Sequence, residues 1–179
     1  MNVLRMMLLG FAMLLSTACA AQPQGEPQAP TQAEADNTIT LVERPVPETH
    51  PVSGLRNIPL MVKTDTEEIG FLVELADTPE AQAKGLMFRA ELNEFGGMLF
   101  PSERPMIRSF WMKNTPLPLD IIFIGEDNRI INIAANTTPY SLESVRSEGP
   151  AIAVFEIRGG RAAQLGIEPG DLVEWRIPE

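Results

Sequence analysis

The sequence is short of the residues that most often announce chemistry: its 179 residues hold one cysteine, one histidine and one tyrosine. A single cysteine closes no internal disulfide and supplies no cysteine-rich zinc or iron–sulfur site. A single histidine makes hydroxyl–imidazole or thiol–imidazole catalysis depend on where His50 lies. Positive charge is scarce as well, with 14 Lys and Arg against 24 Asp and Glu and a net charge of −10. That balance argues against a nucleic-acid partner, because phosphate binding needs a basic face. No apolar run reaches the ~20 residues that cross a bilayer. The length suits one domain with room for a core.

What is present begins with Arg5, the uncharged stretch from Met6 to Leu15, and the small residues Ser16, Thr17 and Ala18. This is the anatomy of an export signal, so residues 1–20 read as that signal and the protein is expected in the periplasm or at the cell envelope. Two processing routes fit. Ala18-Cys19-Ala20 matches ordinary A-x-A cleavage, whereas Leu15-Ser16-Thr17-Ala18-Cys19 resembles the lipobox of bacterial lipoproteins. In the lipobox reading Leu15 stands four residues before Cys19 instead of three, and Ser16 takes the usual leucine position. The second route lipidates Cys19 and gives the chain its only membrane contact.

Residues 21–57 contain Pro23, Pro27, Pro30, Pro45, Pro47 and Pro51 with repeated glutamine, and read as a solvated linker. His50 falls inside that linker. A ligand or general base needs rigid surroundings, so no chemistry is expected of it. Residues 58–179 form the expected folded domain, with 19 acidic and 11 basic side chains.

Short apolar runs broken by turn residues make that domain β-rich. Strands are expected at Leu60–Thr64, Ile69–Leu75, Gly97–Phe100, Arg108–Met112, Leu119–Ile124, Arg129–Ala134, Ala151–Ile157 and Leu172–Ile177. Gly125-Glu126-Asp127-Asn128 turns the fifth into the sixth as a hairpin, and the apolar run Ile121–Ile124 predicts a central strand. Thr78 and Pro79 start a short helix that Gly85 stops, and a second runs over Arg161–Leu165 before Gly166. The expected fold class is mainly β, a compact barrel or double-layered β-sandwich of about eight short strands with two short helices.

Four carboxylates interrupt apolar strands. Strand alternation points Glu74 and Glu174 outward to solvent. Asp120 and Glu156 stand in strands that read as buried on both faces, where a charge needs a partner or a raised pKa, for a structural or a functional purpose. The densest polar group runs from Trp111 through Lys113, Asn114 and Thr115 to Asp120. Trp111 could stack on a sugar while Lys113 takes an anion and Asn114, Thr115 and Asp120 bind hydroxyls. Equally, Trp111 and Met112 could be core, Asn114-Thr115 a turn, and Lys113 the partner of Asp120. Arg89 offers a fork for a carboxylate or phosphate, or a tie to loop carbonyls.

No cofactor is expected. The thioethers of Met61, Met87, Met98, Met106 and Met112 suit Cu(I) in kind but not in spacing, and read as core filler. Gly96-Gly97 and Gly159-Gly160 lack the spacing of a phosphate cradle.

Several blocks together resemble one family. Ala76-Asp77-Thr78-Pro79-Glu80, Lys84-Gly85-Leu86-Met87-Phe88-Arg89, Gly97-Met98-Leu99-Phe100, Phe110 to Thr115, Pro118 to Ile124 and Gly166-Ile167-Glu168-Pro169-Gly170-Asp171 are similar to Domain of Unknown Function 192, over about Leu60 to Trp175. The resemblance implies a small, mainly β domain often found behind a bacterial signal peptide, and brings no catalytic role to any residue.

Besides a structural or assembly partner in the envelope, which would show a large exposed apolar patch without a pocket, two functions remain in view. One is a non-catalytic envelope module whose partner is a small polar or carbohydrate-like ligand, bound by Arg89, Trp111, Lys113, Asn114, Thr115, Asp120 and Glu156. The other is a histidine-independent hydrolase that uses Asp120 and Glu156 as a carboxylate pair, which requires both in one cleft, roughly 5–10 Å apart.

Overall fold

The computed structural model describes residues 47–177. The expected export segment, Cys19 and most of the expected linker lie outside the described residues. Within them the chain runs β1 (Asn57–Lys63), β2 (Glu68–Leu75), α1 (Pro79–Lys84), β3 (Gly96–Met106), β4 (Ser109–Phe110), β5 (Leu119–Gly125), β6 (Ile130–Ala134), β7 (Val145–Arg146), β8 (Ala151–Arg158), α2 (Arg161–Gln164) and β9 (Leu172–Trp175).

Seven strands form one mixed sheet in the order β6-β5-β8-β3-β2-β1-β9, and β4 pairs with β7 in a small second sheet. Only β2 and β3 run parallel, joined by a crossover that carries α1. The large sheet curls until its two margins meet at the bridge of Arg129 with Leu172, where Val173 N donates to Asn128 O at 2.8 Å and Ile130 N to Asp171 O at 2.9 Å. No ladder closes a barrel there, and the architecture is the sandwich-like one of the two expected.

The expected hairpin is β5–β6, with Asn128 at φ 59° in its turn. All seven residues of β5 are buried, as befits a strand held between β6 and β8. Helix α1 starts where Thr78 Oγ1 accepts a bond from the Ala81 amide at 3.2 Å, satisfying one of the donors a helix leaves open. The expected strand over Arg108–Met112 shrinks to β4, because Thr115 N closes a turn on Met112 O at 3.1 Å and Asn114 adopts φ 55°.

Folded structure also reaches back before Ile58, into what the prolines mark as linker. Thr49 bridges Arg56, and a tight turn between them bonds His50 N to Leu55 O and Gly54 N to His50 O, both at 2.8 Å. Gly54 takes φ 72° there, a conformation that favours glycine.

Strand alternation sorts the core into two clusters. One face of the sheet presents Val73, Leu99, Ile122, Phe155 and Ile157, and buries Ala162 of α2. The other presents Met98, Phe100, Ile121, Phe123 and Val154, and is covered by Leu86 and by the segment around Phe110 and Met112. The candidate site lies on this second face.

Candidate functional site

Glu156 stands in the middle of β8, level with Met98 of β3 on one side and Ile121 of β5 on the other. The register therefore aims its side chain at the second core cluster, and it is 5% exposed. Every fully sealed polar side-chain atom among the described residues has a hydrogen-bond partner. The Glu156 carboxyl has no hydrogen-bond partner among the described residues, is therefore not one of these sealed groups, and opens into a hollow of about 370 Å³. Burial pushes its pKa up from the ordinary 4.5 to about 8, since a charged carboxylate loses more from desolvation than a neutral acid. At neutral pH the group is mostly a carboxylic acid, able both to donate and to accept a hydrogen bond.

The hollow has a cationic and aromatic wall. Arg108 precedes β4, and its backbone is clamped by Ser147: Arg108 N donates to Ser147 Oγ at 2.9 Å, and Ser147 N to Arg108 O at 3.0 Å. Its guanidinium donates to Ser102 Oγ and, at 3.3 Å, to Gln82 Oε1, and lies 5.4 Å from the Phe110 ring centroid. Burial lowers the guanidinium pKa without removing its charge. Phe110 is locked edge-on against Phe100 at 5.1 Å and Phe123 at 6.3 Å. Lys84, Trp111 and Thr115 complete the part of the lining that carries chemistry.

The expected site residues separate into three places. Trp111, Thr115 and Glu156 meet in this hollow. Trp111 is 49% exposed, so it stands at the rim rather than in the core. Lys113 is not the partner of Asp120; its ammonium sits 5.1 Å from the Trp111 ring. Asn114 holds the neighbouring loop, accepting from Phe88 N at 2.8 Å through its carbonyl and approaching Met87 Sδ at 3.8 Å.

Asp120 belongs elsewhere. It pairs with Ile157, one step out of phase with Glu156, so it points to the opposite face of the sheet. There its Oδ1 accepts from Asn136 N at 2.6 Å and Gly160 N at 2.9 Å, and its Oδ2 from Ala162 N at 2.8 Å. Those bonds tie the start of α2 and the Asn136 loop to β5. A carboxylate whose oxygens are spent on three amides is a structural staple, and the expected acid–base pair with Glu156 does not exist.

Arg89 occupies a third place together with two residues the sequence set aside. Glu74, expected on a wet face, is 2% exposed. Arg89 Nη2 donates to its two oxygens at 2.7 and 2.5 Å, and Ser53 Oγ donates to Oε2. His50 Nδ1 lies 3.6 Å from Glu74 and 3.4 Å from Arg89, so the histidine belongs to the folded domain. This cluster borders a broader hollow of about 820 Å³, but its charges satisfy one another.

Arg108 was missed as a site residue because it reads as one position of an expected strand. Its signal was a cation just ahead of Phe110 and Trp111, at a strand end leading into a proline-stiffened loop.

The profile of Domain of Unknown Function 192, described as an uncharacterized ACR, matches residues 60–175. No curated protein matches. Among solved structures, a protein of unknown function from Novosphingobium aromaticivorans DSM 12444 is similar at 52% identity with a TM-score of 0.72, over 74% of this chain and 95% of that one. A protein from Sinorhizobium meliloti 1021 described as a candidate transcription regulator is similar at 34% identity with a TM-score of 0.66, over 68% of this chain and 95% of that one.

Proposed function

The chain belongs to the family of Domain of Unknown Function 192, and from its geometry we propose that it is an exported, non-catalytic module that binds a small polar ligand in the hollow beside Glu156. The observation that carries this reading is a buried carboxyl with no partner of its own, opening into a space bordered by an aromatic ring and two cations. Such a group is costly to keep in a core, and because its oxygens are not sealed it takes its hydrogen bonds from whatever fills the hollow, water or a ligand. A carbohydrate-like body suits the space, because Trp111 offers a flat face while Glu156 and Thr115 offer hydroxyl-binding atoms. Asp120, Asn114 and Arg89 drop out of the binding set, and Arg108 and Lys84 join it.

The Sinorhizobium relative's description is not carried over, since a net charge of −10 works against contact with a phosphate backbone. Export rests on the signal anatomy of residues 1–20, with Cys19 either lipidated or lost with the signal. Mass spectrometry of the mature N-terminus after cell fractionation distinguishes the two routes, and an unprocessed cytoplasmic chain would refute export.

The binding reading is tested by an NMR fragment screen of small polar molecules against the full chain. Hits should perturb the Trp111 indole and the amides of β8 around Glu156. Trp111→Ala should weaken them at least tenfold while leaving the melting temperature within a few degrees. Hits that scatter over the surface and ignore Trp111→Ala would sink the proposal.

A further inference from the structure

Four arginines among the described residues are drawn partly out of solvent: Arg89, Arg108, Arg158 and Arg161. Three of them face an acid. Arg89 meets Glu74 at 2.5 Å, while Arg158 and Arg161 lie 3.7 and 3.9 Å from Glu94. Arg108 differs, for its side-chain partners are the neutral oxygens of Ser102 and Gln82. Arg108 forms no ion pair with Glu156 or with any other acid among the described residues, although the chain as a whole carries ten more acidic than basic side chains.

The guanidinium is nevertheless held ready. Ser147 fixes its backbone from both sides, and Gln82 is itself anchored through Nε2 to Pro101 O at 2.7 Å. Phe110 supports the planar group from beneath. Of five N–H donors, two go to Ser102 and Gln82, which leaves donors to spare for a guest. Lys84 borders the same hollow, also without an acid partner among the described residues, of which Glu156 is the only carboxyl in the lining. An uncompensated, preorganised cation in a recess is the arrangement that a bound anion completes, because the anion replaces lost hydration with a charge-assisted pair.

Resting on the binding reading above, we propose that the ligand carries a carboxylate and that Arg108 is its anchor, with Glu156 as a second polar contact in the same hollow. A carboxylate fits the planar fork of a guanidinium through two parallel bonds. The body of the ligand then lies toward Trp111, where its ring or hydroxylated face is covered.

The test uses the full chain and three matched pairs of probes: acetate with acetamide, benzoate with benzamide, and glucuronate with glucose. Binding is followed by NMR at the Trp111 indole and the β8 amides, at pH 6.5 and low salt. At least one acid should bind ten times or more tightly than its neutral partner. Arg108→Gln should remove that preference and Arg108→Lys should retain part of it, with the amide spectrum outside the hollow unchanged in both. If Arg108→Gln unfolds, Lys84→Gln and the salt dependence of the wild-type preference carry the same test, since an ion pair weakens as salt is raised. Acid and neutral probes bound equally would overturn the anion and leave the binding reading standing. Silence of all six probes at the hollow would overturn both.

Discussion

Asp120 and Glu156 lie one residue out of step on adjacent strands and face opposite sides of the sheet, the first paired with Ile157 and the second with Ile121. That single step separates a staple from a site. Asp120 accepts three backbone amides through its two oxygens, whereas the Glu156 carboxyl has no hydrogen-bond partner among the described residues.

The staple can be tested directly. Asp120→Asn keeps one acceptor but turns an NH2 group toward an amide N–H, so at least one buried donor is left without a partner. A cost of roughly 2–4 kcal/mol is expected, read from urea denaturation with the first loss of protection at the amides of α2. Superimposable unfolding curves for the variant and the native chain would remove Asp120 from this role.

Glu156 makes stability depend on pH with a definite sign. Below its ordinary pKa of 4.5 both folded and unfolded chains hold the proton, and the buried acid carries no ionisation penalty. Between 4.5 and about 8 the unfolded chain releases the proton while the folded one keeps it, so this contribution falls as pH rises and levels off above about 8. The charged side chains bordering the same hollow are those of Arg108 and Lys84. Glu156→Gln should therefore flatten the profile, gaining roughly 3–5 kcal/mol over the native chain between pH 5 and 8.5. Parallel profiles in urea titrations at those two pH values would contradict it.

Much of this was visible in local pattern. The uninterrupted run Leu119–Ile124 announces a central strand, and Thr78-Pro79 with Gly85 brackets α1, because hydrophobic periodicity and helix caps are encoded by neighbours in the chain. The outcome for Glu74 shows where pattern stops. Alternation correctly turns it away from Val73 and Leu75, yet the face it turns to is not wet, because the segment carrying Leu86 and Arg89 folds over it. In the same way Asp120 reads as a buried charge in need of a partner, but its partners Gly160 and Ala162 arrive from 40 and 42 residues away. His50 was hidden by its prolines, which stiffen a turn here rather than a free linker.

The Glu74–Arg89 pair gives a third expectation. Removing one member of a buried pair strands the other, at a cost of about 3–5 kcal/mol, while removing both costs much less. Arg89→Met should destabilise strongly, and Glu74→Gln added to it should restore a large part of the loss. A double-mutant cycle in urea measures the coupling. Additive losses would mean that the two side chains act independently. Since this cluster lies outside the Glu156 hollow, acid-probe binding by the surviving folded protein should be unchanged.

Two glycines of neighbouring strands should respond in opposite ways to one added methyl. Gly97 of β3 lies against β8 so closely that a Cβ would collide with the Glu156 carbonyl oxygen and come within 2.8 Å of the Phe155 ring. Because the first of these is backbone, relief requires moving β8, and with it the carboxyl that opens into the hollow. Gly97→Ala should cost more than about 3 kcal/mol, beyond the range of an ordinary surface change. Gly70 of β2 is exposed and would meet only the Met61 methyl at 3.8 Å, with no left-handed φ to forbid a side chain. Gly70→Ala should raise stability by about 0.5–1 kcal/mol, mainly by restricting the unfolded chain. Thermal unfolding of the two variants side by side settles the matter: equal effects would mean that the close approach of β3 to β8 does not constrain the fold.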